Sequence, residues 1–270
     1  MVIPEKLYGI IGWPLAQTLS PLIHNIAFRK KNLPGVYLAW PVQPEQLGAF
    51  IECLRLYRVA GCSVTIPHKI AVMRYMDKIS EAAKLAGAVN TLYFQDNRLC
   101  GENTDVAGFV APLKNLDASP ESALLLGAGG AAHAAAAGLG LLGIRDVTVT
   151  SPGNRRQFEL AEKFSIRAIP WQDRYSLPAR LIINATPLGM KGDHVSESPY
   201  DFALGPEAGV AYDLVYNPLQ TRFLREAAAS GWLCVNGMAM FLAQADAQFL
   251  LWTGEHLPEA SRIALEEALQ

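Results

Sequence analysis

The sequence predicts an α/β fold arranged as two domains. Three observations predict it. The chain has 270 residues, 51% of them hydrophobic, enough for two cores. Short apolar, β-branched runs alternate with helical segments, the pattern of a largely parallel sheet covered by helices. This alternation begins twice, first at the N-terminus and again after Pro120.

Each element has its own signal. "KLYGIIG" predicts the first strand. "SPLIHNIAFRKKN" predicts a helix with Ser20 as N-cap and Pro21 in its first position. "VYLAWPV" is a strand and "EQLGAFIECLRLYR" a helix. "GCSVTIPHK" holds a buried strand, Cys62 to Ile66, that stops at Pro67. "ISEAAKLAG" is a helix closed by Gly87. "VNTLYFQDNRLCGENT" is two strands joined by a turn at "QDNR". "DVAGFVAPLKNLDA" is a helix leaving this unit. Four buried strands follow in "SALLLGAGG", "DVTVTSPG", "ARLIINATP" and "GVAYDLVY", with helices between them. "VNGMAMFLAQADAQFLLWTG" is a long apolar helix expected to return to the first unit. The predicted domains are therefore residues 1–106 plus 238–270, and 107–237, with a cleft between them.

Bulk properties narrow the function. A net charge of -2 without a basic stripe excludes nucleic acid as the main partner. Cys53, Cys62, Cys100 and Cys234 form no C-x-x-C pair, and the five histidines show no H-E-x-x-H spacing. No metal site or disulfide framework is expected, and a reducing cytoplasm fits best. "MVIPEKLYGIIGWP" does not read as a signal peptide. Between Ala123 and Ile144 the one ionisable side chain is His133, which imitates a membrane span. Its alanines and glycines instead predict a strand, a glycine turn and a buried helix, so no membrane partner is expected.

Two motifs carry chemistry. The first is Lys69, delivered to a helix start by a buried strand. A cation is disfavoured there by the helix dipole, which should depress its pKa and suit it to carry a proton. The bland reading is a solvated lysine. The second is "LLLGAGGAA", in which Gly127, Gly129 and Ala132 form G-x-G-x-x-A between a strand and a helix. Such glycines let backbone N–H groups approach a pyrophosphate at a helix N-terminus, the dinucleotide-binding arrangement of a Rossmann-type sheet. The bland reading is a turn that lets strand and helix pack closely. After the next strand no acid follows, but Arg155 and Arg156 do. Guanidinium groups suit a 2′-phosphate, so NADP is favoured, with NAD possible. The alternative is a solvated helix start.

Eight blocks in order resemble the shikimate dehydrogenase family over nearly the whole chain: "TLSP" with "IHN", "VTIPHK", "GAVNT", "GENTDVAGF", "GAGGAA", "INATPLGM", "YDLVYNPLQTRFL" and "NGMAMFLAQA". The resemblance implies an N-terminal α/β substrate domain, a Rossmann-type cofactor domain, and NADPH-dependent reduction of 3-dehydroshikimate to shikimate in aromatic amino-acid biosynthesis. It makes Lys69 the catalytic acid/base with Asp105 as its partner. Thr18 and Ser20 would hold the substrate carboxylate; Thr65, Asn90, Asp105, Tyr216 and Gln244 would bind its hydroxyls or flank the reacting carbon. Gly127, Ala128, Gly129, Gly130 and Ala131, the loop from Ser151 to Arg156 with Arg155, and Leu214 and Gly237 would line the cofactor. Each has a plainer reading: Asn90 and Asp105 as turn caps, Tyr216 as a core edge, Gln244 as a helix-surface residue.

Three departures from the family pattern stand out. Thr18 stands where serine is usual, Ser151-Pro152-Gly153 replaces the usual N-R-T, and Ala239 replaces a common glycine. The alternatives are a quinate/shikimate dehydrogenase preferring NAD, and a catalytically silent sensor of shikimate-type ligands. A monomer or a homodimer is equally compatible with the sequence.

Overall fold

A computed structural model describes residues 3–15, 18–116 and 120–269. Asp117 and Ala118, the expected end of one helix, lie outside the described residues. The chain forms two compact units. The first comprises Met1–Thr104 and Gln244–Ala268, and the second is built from Asp105–Ala243.

The first unit contains β1 (Lys6–Gly12), α1 (Ser20–Lys30), β2 (Gly35–Pro41), α2 (Leu47–Leu56), β3 (Gly61–Val64), α3 (His68–Ala71), β4 (Lys78–Ile79), α4 (Glu81–Ala86), β5 (Thr91–Gln95) and β6 (Arg98–Glu102). Its six strands lie in the order β2-β1-β3-β5-β6-β4. Strands β2, β1 and β3 are mutually parallel, while β5 runs antiparallel to both β3 and β6. The sheet is thus mixed, because "QDNR" makes a tight hairpin with Asp96 and Asn97 both at positive φ. Side chains of β1 alternate between two cores. Tyr8 and Ile10 pack with Phe28, Tyr37 and Phe249, and Ile11 packs with Leu47, Ile51 and Val64. Fully burying each such side chain contributes about 1.5–3 kcal/mol relative to exposure.

Two expectations are corrected here. Ser20 is the first helical residue of α1 rather than its cap, and no side chain caps that end. β3 ends at Val64, two residues before the expected Ile66, because its ladder with β1 stops at the Ile11–Val64 pair. Gly87 does close α4, at φ 64°.

The second unit contains α5 (Thr104–Leu113), β7 (Ser122–Leu126), α6 (Gly130–Leu141), β8 (Asp146–Thr150), α7 (Arg156–Phe164), β9 (Arg167–Ala168), β10 (Leu181–Asn184), β11 (Val210–Asp213), α8 (Arg222–Ala229) and β12 (Leu233–Val235). The chain then runs through α9 (Gly237–Thr253) and α10 (Glu259–Leu269). The sheet order is β12-β11-β10-β7-β8-β9, parallel throughout. Helices cover both faces. Leu125 packs with Ala132, Ala136 and Phe109, and Leu124 with Phe223, Ala227 and Trp232. This two-sided burial explains the continuous apolar runs of β7 and β10. The sheet has six strands where four were expected, since β9 and β12 are too short to show a period.

The apolar stretch from Ala123 resolves into β7, the glycine turn and α6, and no helix among the described residues is long and apolar enough to cross a membrane.

Candidate active site

In the first unit the topology gathers the predicted residues on one edge of the sheet. β1, β2 and β3 point their C-terminal ends there. Because β5 is antiparallel, its start lies at the same edge, and so does the end of β6. The edge therefore carries Thr18 and Ser20 after β1, Thr65 and Lys69 after β3, Asn90 before β5, and Thr104 after β6.

Local hydrogen bonds hold this edge. Thr65 N–H donates to the carbonyl of Ile11 (2.9 Å), and Val64 N–H to that of Asn90 (2.7 Å). The carbonyl of Lys69 accepts from Val89 N–H (2.7 Å), which ties the lysine's turn to the residue before Asn90. His68 points the other way. It is buried, and its Nε2 lies 2.7 Å from the carbonyl of Val42, which can only accept. Lys69 itself is half-buried. Its helix α3 is one turn long, so the helix dipole acting on the ammonium is much weaker than the sequence predicts.

Asn90 is buried, and its Oδ1 accepts from the backbone N–H of Thr104 (2.8 Å) while its Nδ2 donates to the Thr104 hydroxyl (2.9 Å). Asn90 thus caps the start of α5, whose next residue is the buried Asp105. The plain turn-capping role weighed for Asn90 is real, and it fixes the amide in place. The Thr18 hydroxyl accepts from Ser20 N–H at 3.4 Å. Gln244 is half-buried, near the start of the part of α9 belonging to this unit.

In the second unit, β7 ends in the glycine turn. Gly127 has φ +114°, and a Cβ there would lie 2.7 Å from the carbonyl of Ala185. Only glycine fits. Its N–H donates to the carbonyl of Thr150 (2.7 Å). A Cβ on Gly129 would meet no atom within 4 Å, so the turn has open space on that side. Ala128, Gly130 and Ala131 are half-buried, and α6 begins at Gly130 with no acid in its first turn. The turn follows the central strand β7, whose neighbours β8 and β10 lie on opposite sides, the switch point where such sheets bind ligands. Backbone donors, a helix N-terminus and the absence of a carboxylate fit a pyrophosphate.

The loop after β8 is built by side chains. Ser151 donates to Oε1 of the buried Gln157 (2.9 Å), whose Nε2 reaches Asn154 Oδ1 (3.3 Å). Asn154 Oδ1 also accepts from Trp171 N–H (2.7 Å). Arg155 and Arg156 stand exposed at the start of α7. Elsewhere in the unit, Tyr216 stacks on Phe241 with ring centroids 4.5 Å apart. Gly237 approaches the backbone so closely that a Cβ would lie 2.7 Å from the carbonyl of Leu214.

Several supporting residues belong to no motif singled out from the sequence. Asn184 and Asp213 each end an apolar strand and are fully buried. Asp213 accepts from Asn184 Nδ2 (2.9 Å), Val215 N–H (3.0 Å) and Thr221 Oγ1 (2.5 Å), which anchors both ends of the segment carrying Leu214 and Tyr216. Burial pushes the Asp213 carboxyl up to about 7 against those three bonds, which favour the anion. A polar residue closing a wholly apolar strand was the available signal. Gln157 gave none, since its pattern is that of a helix surface. No group of metal-ligating side chains occurs among the described residues.

A parallel sheet with a glycine turn at its switch point defines a dinucleotide-binding α/β protein, here joined to a second unit with a lysine-bearing polar edge. A family model described as the shikimate dehydrogenase substrate binding domain matches residues 10–92. The NADP(+) shikimate dehydrogenase of Pelobacter propionicus is 49% identical, with 98% of this chain and 96% of that protein covered. That of Oleidesulfovibrio alaskensis is also 49% identical, covering 97% and 95%. Among solved structures, shikimate 5-dehydrogenase from Thermus thermophilus, in complex with NADP(H) and shikimate, superposes with a TM-score of 0.88 at 38% identity, covering 98% of this chain and 100% of that one. The chain belongs to the shikimate dehydrogenase family.

Proposed function

We propose that this protein catalyses the reversible, NADP-dependent interconversion of 3-dehydroshikimate and shikimate. The observation that carries this reading is the single sheet edge bearing Thr18, Ser20, Thr65, Lys69 and Asn90, in a chain whose relatives at 49% identity carry that name.

The chemistry follows from those side chains. Reduction of a ring ketone leaves negative charge on its oxygen, and a positioned acid must protonate it. Lys69 is assigned that proton, given from Nζ and taken back in the reverse direction. Asp105 is assigned the carboxylate that supports the ammonium. Asn90 and Thr65, with Tyr216 and Gln244, are assigned the substrate's hydroxyls and the flank of the reacting carbon. The hydroxyls of Thr18 and Ser20 are assigned its carboxylate. NADPH, when bound, supplies the hydride. Gly127 to Ala131 would take its pyrophosphate, Ser151, Arg155 and Arg156 its 2′-phosphate, and Leu214 and Gly237 the rest of its path. The first unit is thus the substrate-binding domain and the second the cofactor domain. Residues 1–106 plus 238–270, and 107–237, remain our assignment of the two roles.

The test is absorbance growth at the reduced-nicotinamide band when purified protein meets shikimate and NADP+. Turnover supports the reading. Tight shikimate binding without turnover under any cofactor would replace it with a ligand sensor.

A further inference from the structure

Asn90 stands at the end of a buried chain of hydrogen bonds that the reaction above does not use. The chain starts at Tyr37 on β2. The Asn25 amide brackets the Tyr37 backbone on both sides, accepting its N–H (2.9 Å) and donating to its carbonyl (2.8 Å). The Tyr37 ring stacks on His24, with centroids 4.5 Å apart. Its phenol donates to Ser63 Oγ (2.6 Å). Ser63 donates to Gln248 Oε1 (2.8 Å). Gln248 Nε2 then donates to Thr91 Oγ1 (2.8 Å) and to the carbonyl of Asn90 (3.2 Å). Finally Thr91 donates to Asn90 Oδ1 (2.7 Å).

All the donors point one way, from Tyr37 towards Asn90, so each bond polarises the next. Tyr37, Ser63, Gln248, Thr91 and Asn90 are each 5% exposed or less, which protects the chain from water. Burial pushes the Tyr37 phenol far above its ordinary pKa, so it stays a donor. The orientation of Asn90 is also fixed independently. Its Oδ1 accepts from the backbone N–H of Thr104, which can only donate. With that oxygen accepting from Thr91 and Thr104, the amide meets a bound hydroxyl as a donor through Nδ2, which in the unliganded chain also donates to the Thr104 hydroxyl (2.9 Å).

Gln248 joins the two halves of the chain. Its amide has an acceptor and a donor on separate atoms, and it uses both, one towards β3 and one towards β5. It lies one helical turn after Gln244 and so on the same face of α9.

We propose that Gln248 is a positioning residue for substrate: acting through Thr91, it holds the Asn90 amide so that Nδ2 is presented to a substrate hydroxyl. This rests on the reading that Asn90 meets the substrate. Two variants separate positioning from packing. Gln248→Leu keeps the volume and removes all three bonds, from Ser63, to Thr91 and to the Asn90 carbonyl. Gln248→Glu keeps the shape, but an ionised carboxylate cannot donate to Thr91, whereas the protonated acid accepts from Ser63 and donates to Thr91 as the amide does.

The measurements are KM for shikimate and for NADP+, kcat, and calorimetric Kd for shikimate without cofactor, each at several pH values from about 6 to 9, the range over which a buried carboxylic acid titrates. Gln248→Leu should raise KM and Kd for shikimate about tenfold, with KM for NADP+ within about twofold of wild type. Gln248→Glu should show the same defect at the alkaline end and approach wild type at the acid end. The ratio of Gln248→Leu to wild type should stay constant across that range. Unchanged shikimate affinity in Gln248→Leu overturns the proposal, and so does a Gln248→Glu defect that is the same at every pH. Should Gln248→Leu not fold, Thr91→Val cuts the next link with little change of shape and is read the same way. Failure of the wild-type chain to bind shikimate at all would overturn the functional reading, and this inference with it.

Discussion

Lys69 is held by its backbone, through the bond from Val89 to its carbonyl. Its side chain can be removed without touching that contact. Lys69→Ala should therefore stay folded and lose about 10²–10⁴-fold in kcat, the usual worth of a positioned acid or base. A variant retaining more than a tenth of wild-type kcat would take Lys69 out of the proton transfer. His24 makes a different case. Both ring nitrogens are buried without a hydrogen-bond partner, and burial holds its pKa down at about 3 against an ordinary 6.5. Below pH 6.5 the unfolded chain gains a proton that the folded chain refuses until about pH 3. The stability His24 contributes is thus complete above that upper value and lost as the pH falls through the window, at up to about 1.4 kcal/mol per unit. Asp213, raised to about 7, acts in the opposite sense: its share is present below about pH 4 and lost as the pH rises to 7. Asp213 is common to wild type and variant, so the comparison isolates the histidine. His24→Phe keeps an aromatic ring against Tyr37 and should flatten the acid side of the urea-denaturation profile between about pH 6 and 4. Parallel profiles would mean that His24 titrates equally in both states.

At the level of elements, the glycine turn and the loop after β8 are the parts where sequence and geometry meet most directly. Gly127 has both a positive φ and a carbonyl where a Cβ would go. Gly127→Ala should cost about 1–3 kcal/mol and weaken NADP binding more than shikimate binding. Equal affinities to wild type for NADP would show that the turn's shape does not hold the pyrophosphate. Arg156 opens α7 with its side chain in solvent. One charge-assisted bond to a 2′-phosphate is worth about 1.5–3 kcal/mol, so Arg156→Ala should lower the NADP-over-NAD ratio of kcat/KM by roughly ten- to 150-fold. If the ratio holds, Arg155 is the next arginine to change. Here the sequence was legible only in part. The missing acid and the two arginines could be read off. The Ser151–Gln157–Asn154 bonds that shape the loop could not, because Gln157 looks like any polar helix residue until the fold buries it.

For the whole molecule, each unit has its own core: Ile11, Leu47 and Val64 with their neighbours in the first, Leu125, Ala136 and Phe109 with theirs in the second. Ligand that binds one unit should raise that unit's local stability most. Amide exchange should slow in β7, β8 and α6 when NADP is added, and around β3, β5 and the turn of Lys69 when shikimate is added. Protection by NADP confined to the first unit would reverse the proposed division between substrate and cofactor.

The α/β class, the hairpin at "QDNR", the Gly87 helix stop and the glycine turn are all legible in the residues, because each depends on local backbone preference or on a period of apolar residues. The sequence also carried Lys69, Asn90 and Asp105 as candidates, through motifs short enough to recognise. What those candidates rest on comes from the fold. Whether β5 runs parallel or antiparallel to β3 is not a local property, yet that direction brings Asn90 to the edge that holds Thr65 and Lys69. Gln248 lies 158 residues from Asn90 in sequence. Only a folded sheet with α9 laid against it places the two within a hydrogen bond, and nothing in the helix period distinguishes a glutamine that will be buried and bonded at both ends from one left in water.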